Sequence, residues 1–404
     1  MIKNNTPIFI FLSAHGASAF ALGVHQVLLA WLSVTVLQLD SHALGWVQAA
    51  GLLPNLVFML VAGALADKRG AFTLLWKAQL GLTFCYLSLA LLLAFNQLGL
   101  FSLIVYASLV GTANAFLQPS REKVIGELSE HRLQTKITRA SSVQFSLQGL
   151  GVLVAALSDN IGFVFVILVQ SLFSFMATMQ MLNLKRFSEA LKDKAHITEL
   201  PESLLQQILQ GIRVVARDTR IAQLIGLIGF NGYMHLGVYI VVVPLLARDV
   251  YQFTALQYGL LQFAFIAGML SAYIIISFKK QIDYPGQGAL FSLLYTAILG
   301  FALSKQPTET GLYMLIVFWG WVAGNSATHC RMVVQLLVPI DTRARVMSLY
   351  QIVLFGMAPL GAIVTGHFAK LYTLNFVFTV LSATSVAMFV FFLFTRSLWA
   401  VKCK

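Results

Sequence analysis

Long apolar runs separated by short polar stretches dominate the chain. The runs lie at 8–37, 46–66, 72–95, 99–118, 138–158, 161–183, 221–247, 257–278, 287–304, 311–338, 345–369 and 374–395. An α-helix needs about 20 predominantly apolar residues to cross a bilayer, and it satisfies its backbone hydrogen bonds internally. The pattern therefore predicts an all-α polytopic membrane protein with twelve transmembrane helices, spans one to twelve.

The runs form two sets of six, with one long polar stretch between them. This arrangement predicts an N-terminal six-helix bundle at 1–183, a cytoplasmic linker at 184–220 and a C-terminal six-helix bundle at 221–404. Within the linker, apolar residues recur at helical spacing, at Leu204, Leu205, Ile208, Leu209, Ile212 and Val215. Such an amphipathic helix is expected to lie on the inner face of the membrane. A partner-binding helix is the alternative.

Two short segments indicate that the bundles are related to each other. Gln144-Phe-Ser-Leu-Gln-Gly149 in span five and Gln351-Ile-Val-Leu-Phe-Gly356 in span eleven share a Gln, a Leu and a Gly at identical spacing. Each segment follows a basic loop, where two six-helix repeats would place it. Duplication of a six-helix unit is the preferred interpretation.

The composition excludes a soluble domain and the charge pattern sets an orientation. The 404 residues are 58% hydrophobic and 10% charged, whereas soluble domains carry about 25% charged residues. The loops after spans two, four, six, eight and ten hold most basic residues, and the opposite loops hold only Arg248, Lys305 and Lys370. The positive-inside rule then predicts that both termini are cytoplasmic. Since no basic patch is interleaved with aromatics, the net charge of +12 does not indicate nucleic acid.

The sequence shows no sign of an enzyme, a cofactor or a metal site. Cys85, Cys330 and Cys403 lack the spacing of metal ligands or of a disulfide framework. There is no nucleotide-binding loop and no Ser/His/Asp set. The chain is therefore predicted to have no catalytic residues.

The connection between spans two and three carries the most specific motif, Gly63-Ala-Leu-Ala-Asp67-Lys68-Arg69-Gly70. With two six-helix halves and a long central connection, it resembles the major facilitator superfamily over essentially the whole chain. The resemblance implies a monomeric secondary transporter that works by alternating access. It also implies a cytoplasmic conformational latch formed by Gly63, Asp67, Arg69 and Gly70, with Arg121 after span four. The alternatives are a solvated acid at Asp67 and glycines that permit close helix approach and a tight turn.

Further motifs are similar to the branch that includes the enterobactin exporters. These motifs are Leu53-Pro54, Gln118-Pro119-Ser120-Arg121, Val338-Pro339 and Arg343-Ala-Arg345-Val346-Met347. The resemblance implies a siderophore-like substrate in the bacterial inner membrane, with export ahead of import. Lysophospholipid transporters share part of the pattern, and span five lacks the proline of the antiporter motif. A non-transporting membrane sensor is the alternative of a different class.

Polar residues collect in spans one, four, seven and ten, which line the central cavity in the superfamily fold. The candidates for substrate binding or proton coupling are His15, His25, Gln26, Asn114, Asn231, Tyr233, His235, Asn325, His329 and Arg331. Any one of them has an alternative role as an interhelical hydrogen bond. Arg331 either grips an acid of the substrate or snorkels to the interface.

No carboxylate falls near the middle of a span, because Asp40, Asp159, Asp249 and Glu309 lie at outer ends and the other acids lie in cytoplasmic segments. Histidines are then the remaining proton carriers. His25 and His235, near the centres of spans one and seven, would share a proton if they faced each other. A cavity with His, Arg and amides but no acid favours a small anionic or neutral polar substrate over a cation.

Overall fold

The computed structural model describes residues 6–128, 133–191, 204–278 and 282–402. Its long helices are α1 (Thr6–Thr35), α2 (Ser41–Arg69), α3 (Ala71–Ala94), α4 (Leu100–Glu127), α5 (Leu133–Ala156), α6 (Phe163–Leu191), α7 (Thr219–Val250), α8 (Ala255–Ser277), α9 (Pro285–Ser304), α10 (Glu309–Leu337), α11 (Ile340–Leu371) and α12 (Leu374–Thr395). Within the described ranges, nine helices are long and apolar enough to cross a membrane. The predicted all-α polytopic fold is confirmed, and the twelve predicted spans follow these helices in order.

Several helices extend beyond their predicted apolar runs, among them α4 and α11. Helix α4 continues through Pro119 to Glu127, and α11 begins at Ile340. The prediction that Arg121 lies in a loop after span four was therefore wrong, because this residue is helical. Arg, Lys and Glu are good helix formers, so a helix can continue where the apolar run stops.

Helix α7 contains two π-helical turns, at Asn231–Leu236 and Leu246–Val250. Each such turn changes the angular positions of the side chains that follow it. Single π-helical turns inside α-helices occur frequently at functional sites. The first of these turns carries the predicted site residues Asn231, Tyr233 and His235.

The chain forms two compact units. Unit 1 comprises Met1–Gln38, Ala50–Leu204 and Phe253–Leu260, and unit 2 comprises Leu39–Ala49, Leu205–Gln252 and Leu261–Lys404. The first turns of α2 therefore belong to unit 2. The first turn of α8 belongs to unit 1.

In unit 1, α1 packs against α5 and α6, and α3 packs against α4 and α6. The approach of α1 to α5 is backbone to backbone. A Cβ atom at Gly23 would collide with the carbonyl oxygen of Gln148, and one at Gly151 would collide with that of Phe20. Small residues at such contacts let membrane helices gain close van der Waals packing.

In unit 2, α7 packs against α11, and α9 packs against α10 and α12. A Cβ atom at Gly232 would collide with the carbonyl oxygen of Leu354, and one at Gly361 with that of Tyr233. The first and fifth helices of each set of six therefore meet through glycines in both units.

The linker helix, Leu204–Arg217, forms where the apolar spacing predicted a helix. Val214 and Val215 pack against the apolar core of unit 2, while Ile212 and Arg213 are exposed. Its apolar face therefore contacts protein at Val215. The side chains from Leu204 to Leu209 lie outside the described part of the helix.

The turn between α2 and α3 consists of Gly70, which has φ of 85°. Backbone in this region suits glycine because a Cβ atom is strained there. The predicted tight glycine turn is confirmed.

Candidate substrate and proton-coupling site

Arg121 on α4 is a cation without a carboxylate partner in the described structure. Its Nη2 donates a hydrogen bond to Ser18 Oγ on α1, and its Nε is buried without a partner. The ion pairs found in the described ranges involve other residues. A charge placed inside a membrane bundle is costly and marks a functional site by default.

A chain of buried hydrogen bonds extends from Arg121 through three more helices. Ser18 Oγ donates to Gln79 Oε1 on α3 at 2.8 Å, and Gln79 Nε2 donates to Ser174 Oγ on α6 at 2.9 Å. Thr83 Oγ1 donates to the same serine at 3.0 Å. This network fixes the position of the guanidinium. The sequence pattern did not predict this network, although Gln79 and Ser174 are polar residues within apolar runs.

His15 interacts electrostatically with Arg121. Its side chain is hydrogen-bonded to Gln144 on α5. The residue is only 6% exposed, and its Nδ1 has no partner among the described groups. The structure thus brings a predicted binding residue, His15, together with Arg121, which the resemblance assigned to a latch.

His25 has a specific partner in unit 1. Its Nδ1 lies 2.9 Å from the Tyr106 hydroxyl on α4, and its ring also contacts Tyr86. Its neighbour Gln26 accepts a hydrogen bond from Gln148 Nε2 on α5 at 2.8 Å. His25 and Gln26 therefore pair with different helices.

Asn114 is partly buried on α4. The described structure shows no hydrogen bond between Asn114 and another predicted site residue.

The π-helical turn of α7 presents two buried polar atoms that have no partner among the described residues, Asn231 Oδ1 and His235 Nε2. Asn231 Nδ2 donates to Ser326 Oγ on α10 at 3.2 Å. Ser326 also accepts a hydrogen bond from Ser292 on α9 at 3.1 Å. Unpaired buried polar atoms need an explanation, and a ligand or a coupled ion is one of them.

Helix α10 carries three of the predicted residues in different settings. His329 Nδ1 donates to the carbonyl oxygen of Asn325 at 2.8 Å, and its ring fills the space over Gly288 of α9. Arg331 is exposed and hydrogen-bonded to Tyr350 on α11. Tyr233 is half-buried, and its backbone packs on Gly361.

Comparison with known proteins identifies the family. The family described as transmembrane secretion effector matches residues 5–402. The chain belongs to this family. No curated protein sequence matches the chain.

Solved structures share the fold of this secretion-effector family member. The nucleoside transporter NupG superposes with a TM-score of 0.76 at 14% identity, covering 98% of this chain and 100% of NupG. An auto-inhibited peptide transporter of the POT family gives a TM-score of 0.73 at 11% identity, covering 97% of each chain. A bacterial homolog of the human lysosomal transporter Spinster gives a TM-score of 0.62 at 14% identity, covering 98% of this chain and 96% of the homolog. The secretion-effector family member is a multi-pass membrane transporter of the major facilitator type.

The latch predicted for this secretion-effector family member stays a prediction. Helix α2 runs to Arg69, but the side chains of Asp67 and Arg69 and the surroundings of Gly63 lie outside the described part. The two described members are Gly70, which forms the turn between α2 and α3, and Arg121, which contacts Ser18 on α1. The sharing of a proton between His25 and His235 also stays a prediction, since they belong to different units.

Proposed function

We propose that the protein is a secondary active transporter that moves a small anionic or amphipathic metabolite across the bacterial inner membrane by alternating access. Both termini are cytoplasmic in this proposal, and the protein acts as a monomer. The observation that carries the proposal is the partly buried Arg121 guanidinium, which interacts electrostatically with His15 and for which the described residues supply no carboxylate.

The chemistry around Arg121 suits an anion. A guanidinium binds carboxylates and similar anions through paired hydrogen bonds. His15 has an unpartnered nitrogen nearby, and Gln144 contributes an amide. A cationic substrate would be repelled at this position, because the described groups linked to the arginine, Ser18, His15 and Gln144, include no carboxylate.

A siderophore-like compound is the first substrate class, and export is the favoured direction. The family description, which refers to secretion, supports export. So does the resemblance of Gln118-Pro119-Ser120-Arg121 to the enterobactin exporters. Import of the same class of compound is the second candidate, followed by movement of lysophospholipids and by a non-transporting sensor.

Protons are the proposed coupling ion, carried by His25 and His235. Each lies within a transmembrane helix, and each unit holds one of them. The Tyr106 hydroxyl is a hydrogen-bond partner that exchanges donor and acceptor roles with His25 as the ring changes protonation. The remaining proposed binding residues are Gln26, Asn114, Asn231, Tyr233, Asn325, His329 and Arg331.

The test compares metabolites in cells and medium of a deletion strain, grown with and without iron. The strain is complemented with the wild type, with Arg121→Gln, or with Arg213→Gln, which removes an exposed charge on the linker helix. We expect one anionic compound to accumulate inside deletion cells and to be missing from their medium. The wild type and Arg213→Gln restore secretion, whereas Arg121→Gln does not at equal membrane abundance.

Two outcomes would contradict parts of this proposal. Full secretion by Arg121→Gln would remove the anion-binding role of that residue. Normal secretion by the deletion strain, together with failure to use the secreted compound, would replace export by import.

A further inference from the structure

The first turns of α1 and α5 enclose a groove in unit 1 with a cavity volume of about 170 Å³. Its lining residues are Ile8, Phe9, Leu12, Lys136 and Arg139. The groove therefore has one apolar wall, contributed by α1, and one basic wall, contributed by α5. The Arg121 network consists of other residues, and the transport proposal makes no use of this groove.

The apolar wall is exposed at the end of a transmembrane helix. Phe9 is 72% exposed, and Leu12 follows it three residues later on α1, so both lie on one face of the helix. In a membrane protein, an exposed aromatic ring at a helix end is suited to contact with lipid.

The basic wall consists of Lys136 and Arg139, and Lys136 has hydrogen-bond donors that remain available. Lys136 Nζ donates to the Leu128 carbonyl oxygen at 2.8 Å, which leaves two of the three ammonium donors for another group. Arg139 lies one turn further along α5 and is exposed. Neither cation is paired with a carboxylate in the described ranges.

We propose that this groove binds an anionic phospholipid. Lys136 and Arg139 hold the headgroup phosphate, and an acyl chain lies along Ile8, Phe9 and Leu12. Basic residues beside transmembrane helices attract anionic headgroups, and the apolar wall adds contact that a soluble anion does not require. This inference rests on the membrane location of α1 and is independent of the transported substrate.

The test measures lipid binding to the purified full-length protein in detergent by native mass spectrometry. The probes are phosphatidylglycerol, phosphatidylcholine with the same acyl chains, and glycerol 1-phosphate. We expect the wild type to prefer phosphatidylglycerol over phosphatidylcholine. The double variant Lys136→Gln/Arg139→Gln should lose at least about tenfold in affinity for phosphatidylglycerol.

Two further variants separate this site from general charge attraction. Lys77→Gln/Arg213→Gln removes two exposed positive charges elsewhere and should keep the preference. Phe9→Ser should weaken phosphatidylglycerol binding and should not increase the affinity for phosphatidylcholine. The proposal is overturned if Lys136→Gln/Arg139→Gln keeps the wild-type preference, if both lipids bind equally, or if glycerol 1-phosphate binds as tightly as phosphatidylglycerol.

Discussion

Lys370 Nζ on α11 lies 2.8 Å from Asp40 Oδ2, just before the start of α2. The backbones of α2 and α11 pack closely next to this ion pair, because a Cβ atom at Gly366 would lie 2.5 Å from the Ser41 carbonyl oxygen. The hydrogen bond from Lys370, followed by that from the Ala43 N–H, lowers the pKa of the Asp40 carboxyl below its ordinary value. Both side chains are half-exposed, so solvent weakens the attraction.

Reversing one charge of this pair should destabilise the protein, and reversing both should restore it. Asp40→Lys or Lys370→Asp places like charges together and should cost about 1 kcal/mol or less, as expected for an exposed pair. Thermal unfolding in detergent measures the effect for the single variants and for the double variant. A double variant no more stable than the singles would show that the pair does not interact.

The same pair gives a pH dependence with a defined sign. Because the folded-state pKa of Asp40 is lowered, its contribution is fully present above the ordinary aspartate pKa of 3.8. The contribution disappears as the pH falls through the lower folded-state pKa. The stability difference between wild type and Asp40→Asn should therefore be constant at neutral pH and vanish in acid.

Gly23→Ala should destabilise the contact of α1 with α5. The new methyl group would meet the backbone of Gln148, which cannot rotate away, and overpacking of this kind costs about 1–3 kcal/mol. Gly81→Ala on α3 is the matched control, since no atom lies within 4 Å of its Cβ position. Helix propensity predicts a small gain there, up to about 1 kcal/mol. Equal melting temperatures for the two variants would contradict the backbone contact.

Gln79→Leu should destabilise the network that positions Arg121. The change leaves the hydroxyls of Ser18 and Ser174 without their amide partner, and a buried unsatisfied group costs about 1–3 kcal/mol. Gln306→Leu is the control, because it removes an exposed hydrogen bond to Asn375 and should cost much less. Thermal unfolding decides between a buried network and a solvated one.

Tyr106→Phe should change the pH dependence of transport while leaving substrate binding intact. The variant removes the hydroxyl that lies 2.9 Å from His25 Nδ1. His25→Ala and His235→Ala should abolish gradient-driven transport in liposomes but retain exchange of substrate without a gradient. An unchanged pH profile in Tyr106→Phe, with only lower stability, would assign His25 a structural role.

The candidate site could be predicted only in part from the sequence. His15, His25 and Asn231 stand out because a polar residue within an apolar run is unusual. Their pairing partners could not be assigned from the sequence, since Gln144, Tyr106 and Ser326 lie on helices distant in sequence. Membrane helices are apolar on nearly every face, because lipid and protein interior are both apolar. Hydrophobic periodicity therefore does not show which face of a span meets which neighbour.

The sequence by itself determined the all-α membrane fold, the order of the long helices, the glycine turn at Gly70 and the resemblance to major facilitator transporters, because span length and charge placement are set by the bilayer. The tertiary structure alone decided that Arg121 is helical and donates a hydrogen bond to Ser18. It also decided that the first turns of α2 belong to unit 2. Both facts depend on the rotation and offset of packed helices, which glycine contacts and buried hydrogen bonds fix only after the chain has folded.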